Sequence, residues 1–295
     1  MPVGPILVTG GSGQLASALA ALGGARVRVV GRPDFDFDRP ATIAATFHAA
    51  TPRLVVNAAA YTAVDAAESD KAAAYRANRD GPAELARLCA AAGTPLIHVS
   101  TDYVYDGDKP SPYVETDPVG PRGVYGASKL AGERAVLTSG ARAIVLRTAW
   151  VYAATGKNFV RTMLALAQTR DTLRVVADQH GCPTAAADLA AAILAIADRF
   201  DANGWDDSWS GVCHAAGSGE TTWHGLALAV FEAAARHGAK TPVSVEAIAT
   251  ADYPTPARRP ANSRLDCARL ETVFGIRLPP WRDSVSRTVD EIFAA

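Results

Sequence analysis

An α/β protein built on a Rossmann-type, doubly wound parallel sheet, with a smaller C-terminal lobe interleaved with it, is predicted by three features of the 295-residue sequence. Short β-branched runs alternate with Ala-rich helical segments through the first half. A glycine-rich turn follows the first of those runs, and after about residue 150 the rhythm changes to longer helices separated by Gly-, Pro- and Trp-rich loops. Strict alternation of strand and helix calls for a parallel sheet with right-handed crossovers. The expected division is a dinucleotide-binding part, 1–150, to which later segments contribute, and a mainly substrate-binding lobe, 151–295, with an interleaved boundary.

The first strand reads "ILVTG" (6–10). It is too short to span a membrane and follows neither a basic leader nor a small-residue cleavage site, so it reads as a buried strand. "TGGSGQLA" (9–16) closes that strand and opens a helix. Gly11, Gly13 and Ala16 match a GxGxxG/A turn, in which the backbone approaches a pyrophosphate and the helix N-terminus faces its charge. The match, placed after a first strand, predicts a nicotinamide cofactor; the plain alternative is a glycine-rich turn without a ligand.

The second strand, "RVRVV" (26–30), runs into "VVGRPDFDFD" (29–38) without the acidic residue that suits an NAD ribose. Gly31 and Arg32 stand there instead, and an arginine at this point accommodates a 2′-phosphate, which favours NADPH and leaves NADH open. Asp36 and Phe37 are placed to flank an adenine, with a solvated turn as the alternative. "RLVVNAA" (53–59) is the third strand, "AELARLCAAAG" (83–93) a helix and "PLIHVS" (95–100) the fourth strand, in which His98 reads as an internal histidine. "HVSTDYVYDG" (98–107) then leaves the sheet at its C-terminal edge, where open α/β sheets bind ligands, and brings the hydroxyls of Ser100 and Thr101.

"YGASK" (125–129) puts Tyr125 and Lys129 on one helical face. A phenol ionises near 10, and an adjacent ammonium is expected to lower that value toward the range useful for proton transfer. The same spacing also arises by chance on many helices. "AIVLRTA" (143–149) is the fifth strand, and helices follow at 158–168, 187–200 and 226–237. "YPTPARRPANS" (253–263) is a long loop and hence a candidate binding segment.

Composition narrows the function classes. With 29 basic and 30 acidic residues the formal net charge is −1, which leaves no electrostatic footprint for nucleic acid or an anionic membrane. Cys89, Cys182, Cys213 and Cys267 have no CxxC spacing, which argues against zinc and against a disulfide framework and suggests reduced thiols in the cytoplasm. The DFDFD carboxylates lack the His or Cys partners of a metal site.

Along nearly its whole length the sequence resembles the extended short-chain dehydrogenase/reductases, and within them the dTDP-4-dehydrorhamnose reductases. The resemblance runs through "TGGSGQL", "VNAAAYTAVDAAE" (56–68), "STDYVYDG" (100–107), "YGASKLAGE" (125–133), "RTAWVYAATGKNFVRTML" (147–164), "DQHGCPT" (178–184), "TTWHGLA" (221–227) and "PARRPANSRLD" (256–266). "YGASK" marks only the superfamily, whereas "VNAAAYTAVDAAE" and the Pro-Ala-x-Arg-Pro-x-Asn-Ser stretch are specific to the reductase branch.

The resemblance implies NADPH-dependent reduction of the C4 ketone of dTDP-6-deoxy-L-lyxo-4-hexulose to dTDP-L-rhamnose. It makes Tyr125 the general acid, Lys129 the residue that holds the nicotinamide ribose and tunes the tyrosine, and Thr101 a donor to the ketone oxygen. It places Gly13, Gln14 and Leu15 under the pyrophosphate, Asp36 and Phe37 near the adenine, and Ala59, Ala60 and Thr62 along the cofactor; Gly10 and Arg32 join the expected cofactor-binding set. Asp102, Tyr103 and Trp150 match positions beside the sugar, with core packing an equal alternative for Trp150. Arg259, Asn262 and Asn158 are the candidates for the diphosphate; for Arg259 the alternative is a surface salt bridge.

Some members of the family dimerise through a magnesium site built from glutamates on the first helix and on the helix after the GxPT motif. Here those helices read "QLASALAALG" (14–23) and "TAAADLAAAI" (184–193), without a glutamate, and Asp188 alone cannot supply such a site. No metal is expected, and the chain is expected to be a monomer or a metal-independent homodimer. Other readings are a reductase of another nucleotide-linked 4-keto-6-deoxy sugar, a nucleotide-sugar epimerase or dehydratase, and a non-catalytic NADP-binding regulatory subunit.

Overall fold

A computed structural model describes residues 4–294. In chain order the strands are β1 (Ile6–Thr9), β2 (Val27–Val30), β3 (Leu54–Asn57), β4 (Leu96–Thr101), β5 (Ala143–Thr148), β6 (Val151–Tyr152), β7 (Thr172–Val176), β8 (His180–Gly181), β9 (Thr184–Ala185), β10 (Gly211–His214), β11 (Thr221–Thr222), β12 (Ser244–Ile248) and β13 (Asn262–Ser263). The helices are α1 (Gln14–Gly23), α2 (Pro40–Ala50), α3 (Val64–Ala67), α4 (Lys71–Tyr75), α5 (Gly81–Ala92), α6 (Val124–Leu137), α7 (Phe159–Ala167), α8 (Ala186–Asn203), α9 (Trp223–Ala235), α10 (Ala268–Phe274) and α11 (Trp281–Ala294).

Six strands form one parallel sheet in the order β10-β5-β4-β3-β1-β2. Its central strands are short apolar runs because both faces are covered: every residue of β1, β3 and β5 is buried. Leu7, Val55 and Val145 face a layer that includes Ile43 of α2 and Leu85 of α5. Ile6, Val56 and Leu146 face Leu19 of α1 and Leu189 and Ile193 of α8 on the other side. Each such side chain contributes about 1.5–3 kcal/mol by leaving water. The strand order reverses between β1 and β3, which opens a crevice outside their carboxyl ends.

The later segments do two things. α8 and β10 return to the large sheet, whereas α7, α9 and α11 enclose a second core with Leu173, Val230, Val285 and Val289. Small pairings, β7 with β12, β6 with β9, and β8 with β11 and β13, stitch this part to the loop that ends at Ser263.

Several polar groups inside the fold pair with one another. Thr9 donates to Asn57 at 2.6 Å, and the Asn57 amide meets His98 Nδ1 at 2.9 Å. Burial holds His98 well below its ordinary pKa, so the ring is neutral. Arg147 of β5 makes a bidentate pair with Glu133 of α6 at 3.0 and 2.6 Å and donates to Tyr105 at 2.7 Å, with both charged side chains almost wholly buried. Asp188 accepts from Ser284 and from Arg287, the latter at 2.7 Å, so its carboxylate is committed between α8 and α11.

Candidate active site

A cleft of about 970 Å³ runs along the carboxyl ends of β1, β3, β4 and β5. One wall is the turn Gly10–Leu15. Gly11 N donates to Val30 O at 3.0 Å, and a Cβ on Gly31 would lie 2.7 Å from Gly11 Cα, so only glycine lets the ends of β1 and β2 come this close. The N-cap of α1 is Gly13, with no capping side chain, so the first-turn amides of α1 remain available to an anion. Such a turn fits the pyrophosphate of a nicotinamide dinucleotide. Ala59, Ala60 and Thr62, after β3, continue this wall.

At the end of β2, Arg32 lines the cleft and donates to Asp36 at 3.2 Å and to Asp38 at 3.0 Å. Arg39 bonds Asp36 and Arg76 bonds Asp38, so three guanidinium groups share two carboxylates there. Neither Arg39 nor Arg76 was singled out by the sequence, because α2 and the turn after α4 meet β2 only in the fold. Phe37 lines the cleft, buried against Phe35 with ring centroids 5.4 Å apart. The Asp36 carboxylate faces its arginines and is not part of the wall; a backbone hydrogen bond from Asp38 is the main reason its pKa is lowered.

Opposite stand Thr101, Tyr125 and Lys129, all in the cleft wall. Thr101 ends β4, and its hydroxyl donates to Asp102 Oδ1 at 3.0 Å. Tyr125 lies in the first turn of α6, in the same cleft wall as Thr101, and its ring meets Tyr103 edge to face at 5.4 Å. Lys129 Nζ donates to Val99 O at 2.7 Å. Electrostatically the site differs from the expectation that Lys129 lowers the Tyr125 pKa. Burial raises it instead, Lys129 being turned to a carbonyl, so Tyr125 is a protonated phenol at neutral pH. The same burial lowers Lys129 to about 8 and raises Asp102 to about 6. Asp102 Oδ2 is buried without a protein partner.

Trp150 forms the far end of the wall with a left-handed backbone, φ 49°. Its indole stacks on Trp223 of α9 at 3.6 Å and 11°, and a Cβ on Gly181 would fall 2.4 Å from it. Strain of this kind in a bulky residue persists only where surroundings enforce it, here the Trp223 stack and the close approach of Gly181. Trp223 and Lys157 also line the cleft; both lie in stretches that carry the family resemblance, but neither was assigned a role from the sequence.

Three candidates for the diphosphate lie elsewhere. Asn158 caps α7 by accepting from Arg161 N, and its amide donates to Gln14 Oε1 at 2.9 Å. Asn262, almost fully buried, donates to Lys109 O and Ser111 O and accepts from Arg264. Both amides are committed to holding loops, and neither residue lines the cleft. Arg259 faces a neighbouring cavity of about 380 Å³ with Arg258 and Thr250, pairs with Asp65 at 2.6 Å, and approaches Tyr103.

Comparison with known proteins agrees with this geometry. The family model described as RmlD substrate binding domain matches residues 4–293. A dTDP-4-dehydrorhamnose reductase of Sinorhizobium fredii is 49% identical over 286 residues, 96% of each chain. The crystal structure of a dTDP-4-dehydrorhamnose reductase of Clostridium acetobutylicum superposes with a TM-score of 0.88 at 34% identity, covering 98% of this chain and 99% of that one. One from Bacillus anthracis, in complex with NADP, gives the same TM-score at 29% identity and the same coverage. The chain therefore belongs to the RmlD substrate binding domain family, with the dTDP-4-dehydrorhamnose reductases.

Proposed function

We infer that the protein reduces the C4 ketone of dTDP-6-deoxy-L-lyxo-4-hexulose to dTDP-L-rhamnose at the expense of NADPH. The observation that carries the reading is the convergence of two hydroxyl donors, Thr101 and Tyr125, on one cleft wall opposite the glycine turn after β1. When bound, NADPH supplies the hydride. Tyr125 and Thr101 then donate to the ketone oxygen, Thr101 turning its proton away from Asp102, and Tyr125 delivers the proton that completes the alcohol. These bonds strengthen as charge develops on that oxygen, which is where they accelerate the reaction.

Lys129 holds the cofactor's ribose and supplies positive charge behind the phenol. Asp102 Oδ2 accepts from a sugar hydroxyl, and the Trp150–Trp223 stack packs against the deoxysugar's apolar edge. Arg32 meets the 2′-phosphate at the adenosine end, and Arg259 meets a phosphate of the nucleotide. Oxidation of NADPH in the presence of the keto sugar, with dTDP-L-rhamnose as product, is the expected result. Tyr125→Phe is expected to bind NADPH normally and lose at least about 100-fold in kcat, the scale of general acid catalysis. No turnover by the wild-type protein, or an unimpaired Tyr125→Phe, would refute the reading.

A further inference from the structure

The catalytic helix α6 begins without a cap of its own. Its N-cap is Gly123, which has no side chain to offer, and no acidic residue lies in its first turn. Four amides at a helix start lack intrahelical partners, and the positive end of the helix favours a carboxylate. Glu68, distant in sequence, meets that need: its Oε1 accepts from Val124 N at 2.8 Å. A Cβ on residue 123 would sit 2.8 Å from the same oxygen, so the missing side chain at Gly123 is the space the glutamate uses. Tyr125 is the next residue in that turn.

Glu68 directly follows α3, and the same turn has a second arm. Asp65 Oδ2 accepts from Arg259 Nη2 at 2.6 Å, and Oδ1 accepts from Ala257 N at 3.1 Å. Both bonds hold the loop that carries Arg259. Between the two arms, Val64 lines the cleft. One short helical turn thus touches the cleft, the start of the catalytic helix and the Arg259 loop.

We propose that the turn Val64–Glu68 is a bracket with two positioning residues: Glu68 sets Tyr125 by capping α6 from outside, and Asp65 sets Arg259 for the nucleotide sugar. The proposal rests on the proposed reductase function for its kinetic consequences, and its structural consequence is independent of them. A displaced acid slows the chemical step, whereas a displaced arginine weakens substrate capture.

The test compares Glu68→Ala, Glu68→Gln, Asp65→Ala and the wild type in steady-state kinetics, NADPH binding and amide hydrogen exchange. Glu68→Ala is expected to lower kcat about 10-fold, less than loss of the acid itself, with NADPH affinity unchanged, and to speed exchange at residues 124–126. Glu68→Gln keeps an oxygen acceptor for Val124 N and is expected to recover most of kcat. Asp65→Ala is expected to raise KM for the nucleotide sugar about 10-fold while kcat falls far less. Unchanged exchange at 124–126 in Glu68→Ala, a Gln variant as impaired as Ala, or an Asp65→Ala effect confined to kcat would overturn the bracket. An inactive wild type would instead count against the reductase reading and leave the exchange arm to decide the cap.

Discussion

Asp102 and Lys129 are two charges that burial has moved toward neutrality, one from below and one from above. Asp102 is raised to about 6 and Lys129 is lowered to about 8, each chiefly because water is excluded. Below about 6 Asp102 gains a proton and loses acceptor capacity at Oδ2; above about 8 Lys129 loses its charge. kcat/KM is therefore expected to fall as pH drops through about 6 and as it rises through about 8, and Asp102→Asn is expected to remove the acid limb. A profile flat through both values would contradict these assignments. At this scale the pairing of Tyr125 with Lys129 was legible because residues four apart share a helical face. The protonation of Tyr125 was not, since burial is a property of the assembled cleft. The place of Trp223 was not legible either: it stands in a quoted motif, but its stack on Trp150 joins two separate elements.

At the scale of elements, α6 is held at both ends by charges from elsewhere, Glu68 at its start and Arg147 of β5 near its end. The Glu133–Arg147 pair is nearly solvent-free, so removing one partner strands the other. Glu133→Ala is expected to destabilise the fold by about 3–5 kcal/mol in urea unfolding, whereas an exposed pair such as Arg282–Glu232 is worth no more than about 1 kcal/mol. A loss under 1 kcal/mol for Glu133→Ala would show that water reaches the pair. Of the five β-branched runs of the first half, β1, β3 and β5 were readable as strands because both their faces are buried, which leaves an unbroken apolar signal, whereas the half-exposed edge strand β2 was readable from its β-branched valines and its place before the turn at Gly31. β10 and the two-residue strands β6, β8, β9, β11 and β13 were not readable. Segments this short carry no periodicity, and their pairing is set by neighbours far along the chain.

For the whole molecule, function follows from where the parallel sheet ends. The reversal between β1 and β3 opens the crevice, the glycine turn fills one side of it, and β4 and α6 bring the hydroxyls to the other. The second core, built on α7, α9 and α11, brings Trp223 to the end of the cleft that Trp150 forms. Among the described residues no helix is long and apolar enough to cross a membrane. Reduction by NADPH is net hydride transfer to the sugar, as distinct from the internal hydride recycling of an epimerase or dehydratase on a similar sheet. It is tested most directly by incubating the protein with the keto sugar and NADPH deuterated at both nicotinamide C4 positions, then locating the label. The expected result is dTDP-L-rhamnose with one deuterium at C4 and stoichiometric NADP. A product without deuterium, or a sugar epimerised or dehydrated with no NADPH consumed, would contradict it.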